Sequence, residues 1–236
     1  MDYIAAKSHM LQYEINNLQE KQKMEWKKLE FVTDEDYETT DNILSRISKL
    51  QSIKIYECKF RRHSFPLTTP YMQSLVHLHI EKCGLKHVDE RLFQLPLLRE
   101  VNLSHNLGIS FQKVDDDDVK NSGIVKLILW SCGLKELPTF VKSMKNLELI
   151  NVTDNQITFI PLWIKDMEIL VDLRLSRNKV RMFPVELIDW LESPSKHMDL
   201  ENNPWWMPPE HIWCFGYHQV VHYLKMKGNK NMNKLF

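Results

Sequence analysis

Seven segments of the chain share one nine-residue template, L-x-x-L-x-L-x-x-(N/C), and this recurrence constrains the fold more than any other feature. They are LQSIKIYEC (50–58), LVHLHIEKC (75–83), LREVNLSHN (98–106), IVKLILWSC (124–132), LELINVTDN (147–155), LVDLRLSRN (170–178) and SKHMDLENN (195–203). Their starts lie 25, 23, 26, 23, 23 and 25 residues apart. Several run on into GLKELP, QITFIP or KVRMFP. One such unit cannot bury its own apolar face. Stacked units make a continuous core, with strands spaced about 4.8 Å apart.

The template resembles the leucine-rich repeat. That resemblance covers roughly residues 50–225 and implies an α/β solenoid. Its parallel sheet lines the concave face, short helical or 3-10 segments return along the outside, and helical caps close both ends. The ninth position alternates between Asn (106, 155, 178, 203) and Cys (58, 83, 132), and its usual task is to hydrogen-bond the turn backbone of neighbouring coils. The return segments PTFVKSMKN, PLWIKDMEI and PVELIDWLES each begin with Pro, which suits the first position of a helical turn. This spacing, and the Pro, are similar to the intracellular class of repeats: Ras-pathway scaffolds, polarity scaffolds that also carry PDZ domains, and plant Ras-group proteins. The stretch NPWWMPPEHIWCFGYHQVVHYLK (203–225) resembles the terminal cap of those families at Asn203, Pro204, Pro208, Pro209, Ile212, Gly216, Val220, Tyr223 and Leu224. Trp205 is expected to pack over the last coil, with Trp206 partly exposed.

The other end departs from the family pattern. Residues 2–32 contain neither Gly nor Pro and read as one long helix, with Ile4, Leu11, Leu18 and Val32 at heptad spacing. Ser8, Gln22 and Glu25 interrupt that seam, so a coiled coil, a docking helix and a helix folded on the solenoid are all open readings. Residues 33–49 read as an acidic linker and a cap helix, with Ile43, Leu44, Ile47 and Leu50 on one face. Seven repeats over 50–203, a helical cap over 204–226 and a basic tail over 227–236 complete the expected organisation.

Side chains alternate along a strand, so template positions three, five and seven face the concave side. Most are polar. The exception is IVKLILWSC, where Ile128 and Trp130 protrude with Leu149 on the next strand. An apolar spot within a polar field has the character of a protein-binding hot spot. Tyr56, Lys126, Asn151, Asp172, Arg174 and Arg177 complete the expected partner face, with Asp172, Arg174, Arg177 and Asp154 setting register at its rim. Cover of this spot by the chain's own N-terminal helix or by a loop is the competing reading.

Other chemistries fare poorly. His77, His79 and Glu81 share one strand face, and His105 lies on the next coil, but a metal would need all four to converge. Exposed polar strand residues are far commoner than metal sites, so neither metal nor cofactor is expected. Asp115–Asp118 lack the D-x-D-x-D-G spacing of a calcium loop and read as a solvated run that caps the helical turn at Val119. Phosphate-cradling Gly loops, nucleophile elbows and H-E-x-x-H helices are absent from the sequence, so no enzyme is indicated. Lys+Arg and Asp+Glu are both 31, so no bulk field draws the chain to nucleic acid or an anionic membrane. No apolar run reaches the roughly 20 residues of a membrane span. The N-terminus lacks a signal-peptide layout, and the four cysteines are widely separated, so the expected location is the reducing cytoplasm. Asn102 and Asn151 therefore sit in glycosylation triplets by chance.

The expected function is thus a non-catalytic scaffold or interaction module in signal transduction, with a protein partner on the concave face. By resemblance that partner would be a small GTPase or a phosphatase subunit. The alternative is a substrate receptor or assembly subunit docked through residues 2–32.

Overall fold

Position four and position six of every template segment are apolar, from branched aliphatic residues to Met198, and in most segments they are flanked by polar ones, the period-two pattern of a strand buried on one face. In the computed structural model, described for residues 23–27, 30–31, 50–60, 64–65, 72–111 and 113–232, each segment delivers one parallel strand. Strands β1 (Lys23–Lys27), β3 (Ser52–Tyr56), β5 (His77–Glu81), β6 (Glu100–Asn102), β7 (Lys126–Ile128), β8 (Leu149–Asn151), β9 (Asp172–Arg174) and β10 (His197–Asp199) form one eight-stranded sheet in that order. Two short strands, β2 (Glu30–Phe31) and β4 (Lys59–Phe60), pair beside it. Consecutive strands meet in template register: Leu78 lies opposite Ile53 and Val101, and Leu127 opposite Val101 and Ile150. The aligned leucines therefore line one shared interior, which runs unbroken from Leu50 to Leu224.

The first strand corrects the expectation of one helix over 2–32. Lys23-Met-Glu-Trp-Lys27 pairs in parallel with Ser52–Tyr56, placing Met24 opposite Ile53 and Trp26 opposite Ile55. An open stack leaves the backbone N–H and C=O groups of its first strand unpaired, and KMEWK carries the same alternation as SIKIY. Pairing the edge satisfies those groups, which a helix at this position would leave open. A docking helix spanning all of 2–32 is thereby ruled out for 23–27 and 30–31. The rest of the expected N-terminal helix, and the linker and cap helix over 33–49, lie outside the described residues.

The outer wall is built from short turns, as the prolines imply. Pro138, Pro161 and Pro184 each precede a 3-10 turn, over Thr139–Ser143, Leu162–Asp166 and Val185–Leu187. The 26-residue unit accommodates its extra length as helix α1 (Asp116–Val119), capped by Asp115, whose carboxylate accepts from the Asp117 and Asp118 amides. Asp116 and Asp117 pair with Lys142 and Lys120 at 3.2 and 2.8 Å, so the acidic run serves as a cap.

Helix α2 (Ile188–Glu192) closes the sixth unit ahead of β10, and α3 (Glu210–Trp213) and α4 (Tyr217–Met232) follow the last coil. Gly216, at φ +87°, makes the turn between the last two. Val220, Val221 and Leu224 bury one face of α4, and Lys225 reaches Glu192 of α2 at 2.7 Å. The helix continues to Met232, past the boundary expected at 226, because no Pro interrupts it and Gly228 only weakens it.

Candidate functional site

The ninth-position residues fix how rigidly the concave sheet is held. Asn178 accepts from the Ile157 amide at 2.9 Å and donates to the carbonyls of Val152 and Leu175 at 2.9 and 3.0 Å. Asn106, Asn155 and Asn203 repeat the arrangement, each fastening its own turn to the coil before it. The cysteines provide less: Cys83 donates to Glu81 O at 3.1 Å, and Cys132 to Leu103 O at 3.3 Å. All three template cysteines are buried thiols outside any disulfide. Burial pushes the Cys132 thiol up to about 11, against an opposing pull from the Asn106 and His105 amides. Cys83 is raised further by its hydrogen bond with Cys58 and by burial.

The eighth position carries a second signature. Glu57, Lys82, His105, Ser131, Asp154, Arg177 and Asn202 all adopt left-handed backbone, with φ between 53° and 60°. This is how each strand turns sharply off the concave face, and it was not read from the sequence, where no glycine marks the place.

On that face Ile128 is half-buried, Leu149 lies on the adjoining strand, and Trp130, just past β7, is 37% exposed. The His105 ring packs against Trp130 with centroids 4.6 Å apart, and the His105 amide donates to the Trp130 carbonyl. The indole is therefore held in place from one side and open on the other. Lys126 and Asn151 flank the spot, opposite Leu149 and Ile128 respectively. On the next strand Arg174 forks onto Asp172 at 2.7 and 3.1 Å, and His197 reaches the other carboxylate oxygen at 3.0 Å. Burial alone would raise Asp172, but the hydrogen bonds from Arg174 and His197 outweigh it and hold the carboxyl below its usual range. Arg177 is exposed at its left-handed corner.

Tyr56 is not part of this cluster. It sits on β3, three strands from β7, roughly 14 Å away at ordinary strand spacing. Template position seven also faces the solvent less than expected: Ser104, Thr153 and Ser176 are buried, Ser104 bonding Asn102 and Thr153 bonding Ser176. The chain has already begun to turn inward there. Trp130 stays exposed because its ring is too large to follow.

The four residues with metal-ligand chemistry do not converge on one point, although His77 and His79 both face Glu100. His79 binds Glu100 at 2.8 Å, Glu81 accepts from Asn102 at 2.8 Å, His105 lies on Trp130, and His77 approaches Glu100 at 3.7 Å. Among the described residues no group of three His, Cys, Asp or Glu side chains could hold a metal ion. No helix among the described residues is long and apolar enough to cross a membrane.

Stacked coils with this template, this Asn/Cys ladder and this inward-facing sheet decide the fold. It is a leucine-rich-repeat solenoid. Human trophoblast glycoprotein 5T4 (Wnt-activated inhibitory factor 1) superposes with a TM-score of 0.56 at 17% identity, covering 70% of this chain and 65% of that one. A leucine-rich-repeat protein of Leptospira interrogans gives 0.54 at 18% identity, covering 82% and 52%. In sequence, receptor like protein 28 of Arabidopsis thaliana is 30% identical over 143 residues, and receptor like protein 23 is 28% identical over 138. The matches take in 60% and 58% of this chain but span only 16% and 13% of those longer relatives. No family model matches the chain.

Two surface features escaped the sequence reading. Phe159 and Met182 are 49% and 54% exposed in the fifth and sixth units, whereas Trp206, expected to be partly exposed, is 73% exposed. The signal was present, because the template position that holds Glu136 in GLKELP becomes Phe159 in QITFIP and Met182 in KVRMFP. A cleft also opens where the cap meets the last coil, lined by Trp205, Trp213 and Tyr217.

Proposed function

We propose that this solenoid is a non-catalytic interaction module that presents its concave sheet to a folded protein or peptide, with Trp130 as the central anchor. Leucine-rich-repeat solenoids generally use such concave surfaces for protein binding. The observation that supports the anchor is the pairing of a rigidly backed, 37% exposed indole with Ile128 and Leu149 inside an otherwise polar face. Because the sheet is already ordered, binding would cost little in conformational freedom. The Asp172–Arg174–His197 cluster would lie at the rim, where charge sets register and encounter rate more than affinity. Four cysteines outside any disulfide support a reducing, intracellular setting, and a role in signal transduction is carried by the resemblance to the intracellular repeat class.

Affinity capture from native lysate, comparing wild type with Trp130→Ala, tests the proposal. The variant should melt within about 2 °C of wild type, since surface truncations rarely cost more than about 0.5 kcal/mol. It should also lose a partner that wild type retains. A large drop in melting temperature, or unchanged capture of every wild-type partner, would remove Trp130 from the role.

A further inference from the structure

The cleft at the C-terminal end of the stack lies away from the Trp130 spot and has a different chemistry. It encloses about 520 Å³ between the last coil, which contributes Glu201 and Trp205, and the cap, which contributes Glu210, Trp213, Cys214 and Tyr217. Trp205 and Trp213 stack with centroids 4.3 Å apart and planes 25° from parallel, and Tyr217 meets Trp213 edge-on at 6.1 Å and 90°. These rings are locked: Trp205 is 8% exposed, the Trp213 indole donates to Pro208 O at 3.2 Å, and the Tyr217 hydroxyl donates to Met198 O. The aromatic wall is therefore fixed before anything binds.

Its charge is uncompensated. Glu201 and Glu210 are exposed at the cleft and, among the described residues, their carboxylates have no hydrogen-bond or ion-pair partner. Two acidic groups elsewhere on the concave sheet are matched by cations, Asp172 by Arg174 and His197 and Glu100 by His79 and Lys126. Burial, and after it the charges of Asp199 and Glu201, push the Tyr217 hydroxyl up to about 12.

We propose that this cleft binds the guanidinium of an arginine side chain presented by a partner protein. Aromatic faces attract a cation through the ring quadrupole, and a flat guanidinium stacks on an indole while its N–H fork reaches carboxylates on either side. An ammonium group, compact and strongly hydrated, cannot do both. The site is separate from the concave anchor, so a partner could engage either surface or both, and simultaneous use would raise avidity without new contacts.

The test uses the full chain and N-acetyl-arginine amide as the probe, with the citrulline amide as its neutral isostere and the lysine amide as its ammonium counterpart. Two readouts report the cleft directly: the indole N–H signals of Trp205 and Trp213, and the alkylation rate of Cys214 by N-ethylmaleimide. Cys214 lines the cleft and is the exposed member of the four cysteines. The arginine probe should shift both indole signals saturably, and should slow alkylation about threefold at a concentration near twice its Kd. Glu201→Gln with Glu210→Gln, both surface changes that leave the fold intact, should weaken binding about tenfold. Trp130→Ala should bind the probe like wild type, which separates this site from the concave one. Equal binding of the citrulline or lysine probe, an unaffected double variant, or the absence of any saturable shift would each overturn the assignment.

Discussion

The two halves of the solenoid hold their coils together by different means. In the N-terminal half, β1, β3 and β5 are each five residues long, and the ninth template positions of the first two repeats are Cys58 and Cys83. From β6 onward the strands in the sheet shorten to three residues, and Asn155, Asn178 and Asn203 form an unbroken run. An Asn amide can accept from one coil and donate to two carbonyls, whereas a thiol is a weak donor with one hydrogen. At Cys58 and Cys83 longer backbone pairing makes up part of the attachment, whereas Cys132 follows the three-residue β7 and relies on the Asn106 and Asn155 coils either side of it. Where the side-chain ladder is strong, three residues of strand are enough. The same architecture thus distributes its polar satisfaction between main chain and side chain, and the balance shifts along the stack.

If the template cysteines are structural, their chemistry should be silent. Raised thiol pKa values mean less thiolate at a given pH, and only thiolate is alkylated. With Cys132 at about 11, roughly one molecule in a thousand carries the thiolate at about pH 8, before burial restricts access further. Native alkylation should therefore label Cys214 more than a hundredfold faster than Cys58, Cys83 or Cys132, read by peptide mass mapping. All four should react once the chain is unfolded. Fast native labelling of Cys83 would break the picture of an inert ladder.

Stability separates the two ladders next. Asn178→Ala strands the Ile157 amide in the interior and removes one of the two side-chain donors from each of the Val152 and Leu175 carbonyls, which keep Asn155 and Asn203, at a cost of about 3 kcal/mol. For a chain of this length that is a fall in melting temperature of roughly 6–12 °C. Cys132→Ala removes one weak bond and one buried sulfur, and should cost about 1 kcal/mol. Denaturant titration of both variants checks the ratio. Equal losses would mean that the Asn and Cys positions do the same job.

A smaller effect belongs to the C-terminal half alone. Asp172 is held below its unfolded pKa by Arg174 and His197, so its contribution is present above about pH 4. It is lost as pH falls through the lower folded value. Asp172→Asn should melt slightly below wild type at neutral pH and converge with it in acid. The gap is modest because Arg174 and His197 are 44% and 62% exposed. Divergence on acidification would reverse the sign assigned here.

The sequence made the stack legible because its periodicity is redundant: seven registers of one template tolerate Met198 or Ser195 in place of an aliphatic residue. The strand at 23–27 was missed for the opposite reason. KMEWKKLEF shares only its alternation with SIKIYECKF, begins 29 residues before it, and lies among strong helix formers. Its state is decided by the open edge of the sheet, a tertiary demand that local propensity does not contain. The candidate site was readable in part. Ile128, Leu149 and Trp130 follow from strand alternation, but the inward turn of Ser104, Thr153 and Ser176 and the distance to Tyr56 depend on curvature and strand order. The cap cleft depends on two segments meeting, and neither announces it alone.

The left-handed eighth position reaches across both halves, and so it limits how far the comparison extends. Ser131 at φ 55° and Arg177 at φ 53° occupy the same corner, one in a Cys-ended repeat and one in an Asn-ended repeat. An L-residue there carries a steric cost of about 1–2 kcal/mol that glycine does not, offset by about 0.5–1 kcal/mol of extra backbone entropy that glycine loses on folding. Ser131→Gly and Arg177→Gly should therefore each stabilise the chain by a few tenths of a kcal/mol to about 1. The two shifts should agree in sign, since the strain lies in the main chain and is indifferent to what occupies position nine. Paired denaturant midpoints measure this directly. A gain at Ser131 with a loss at Arg177 would show that the exposed guanidinium makes a contact worth more than the relieved strain, and that the two halves differ at their corners as well as in their ladders.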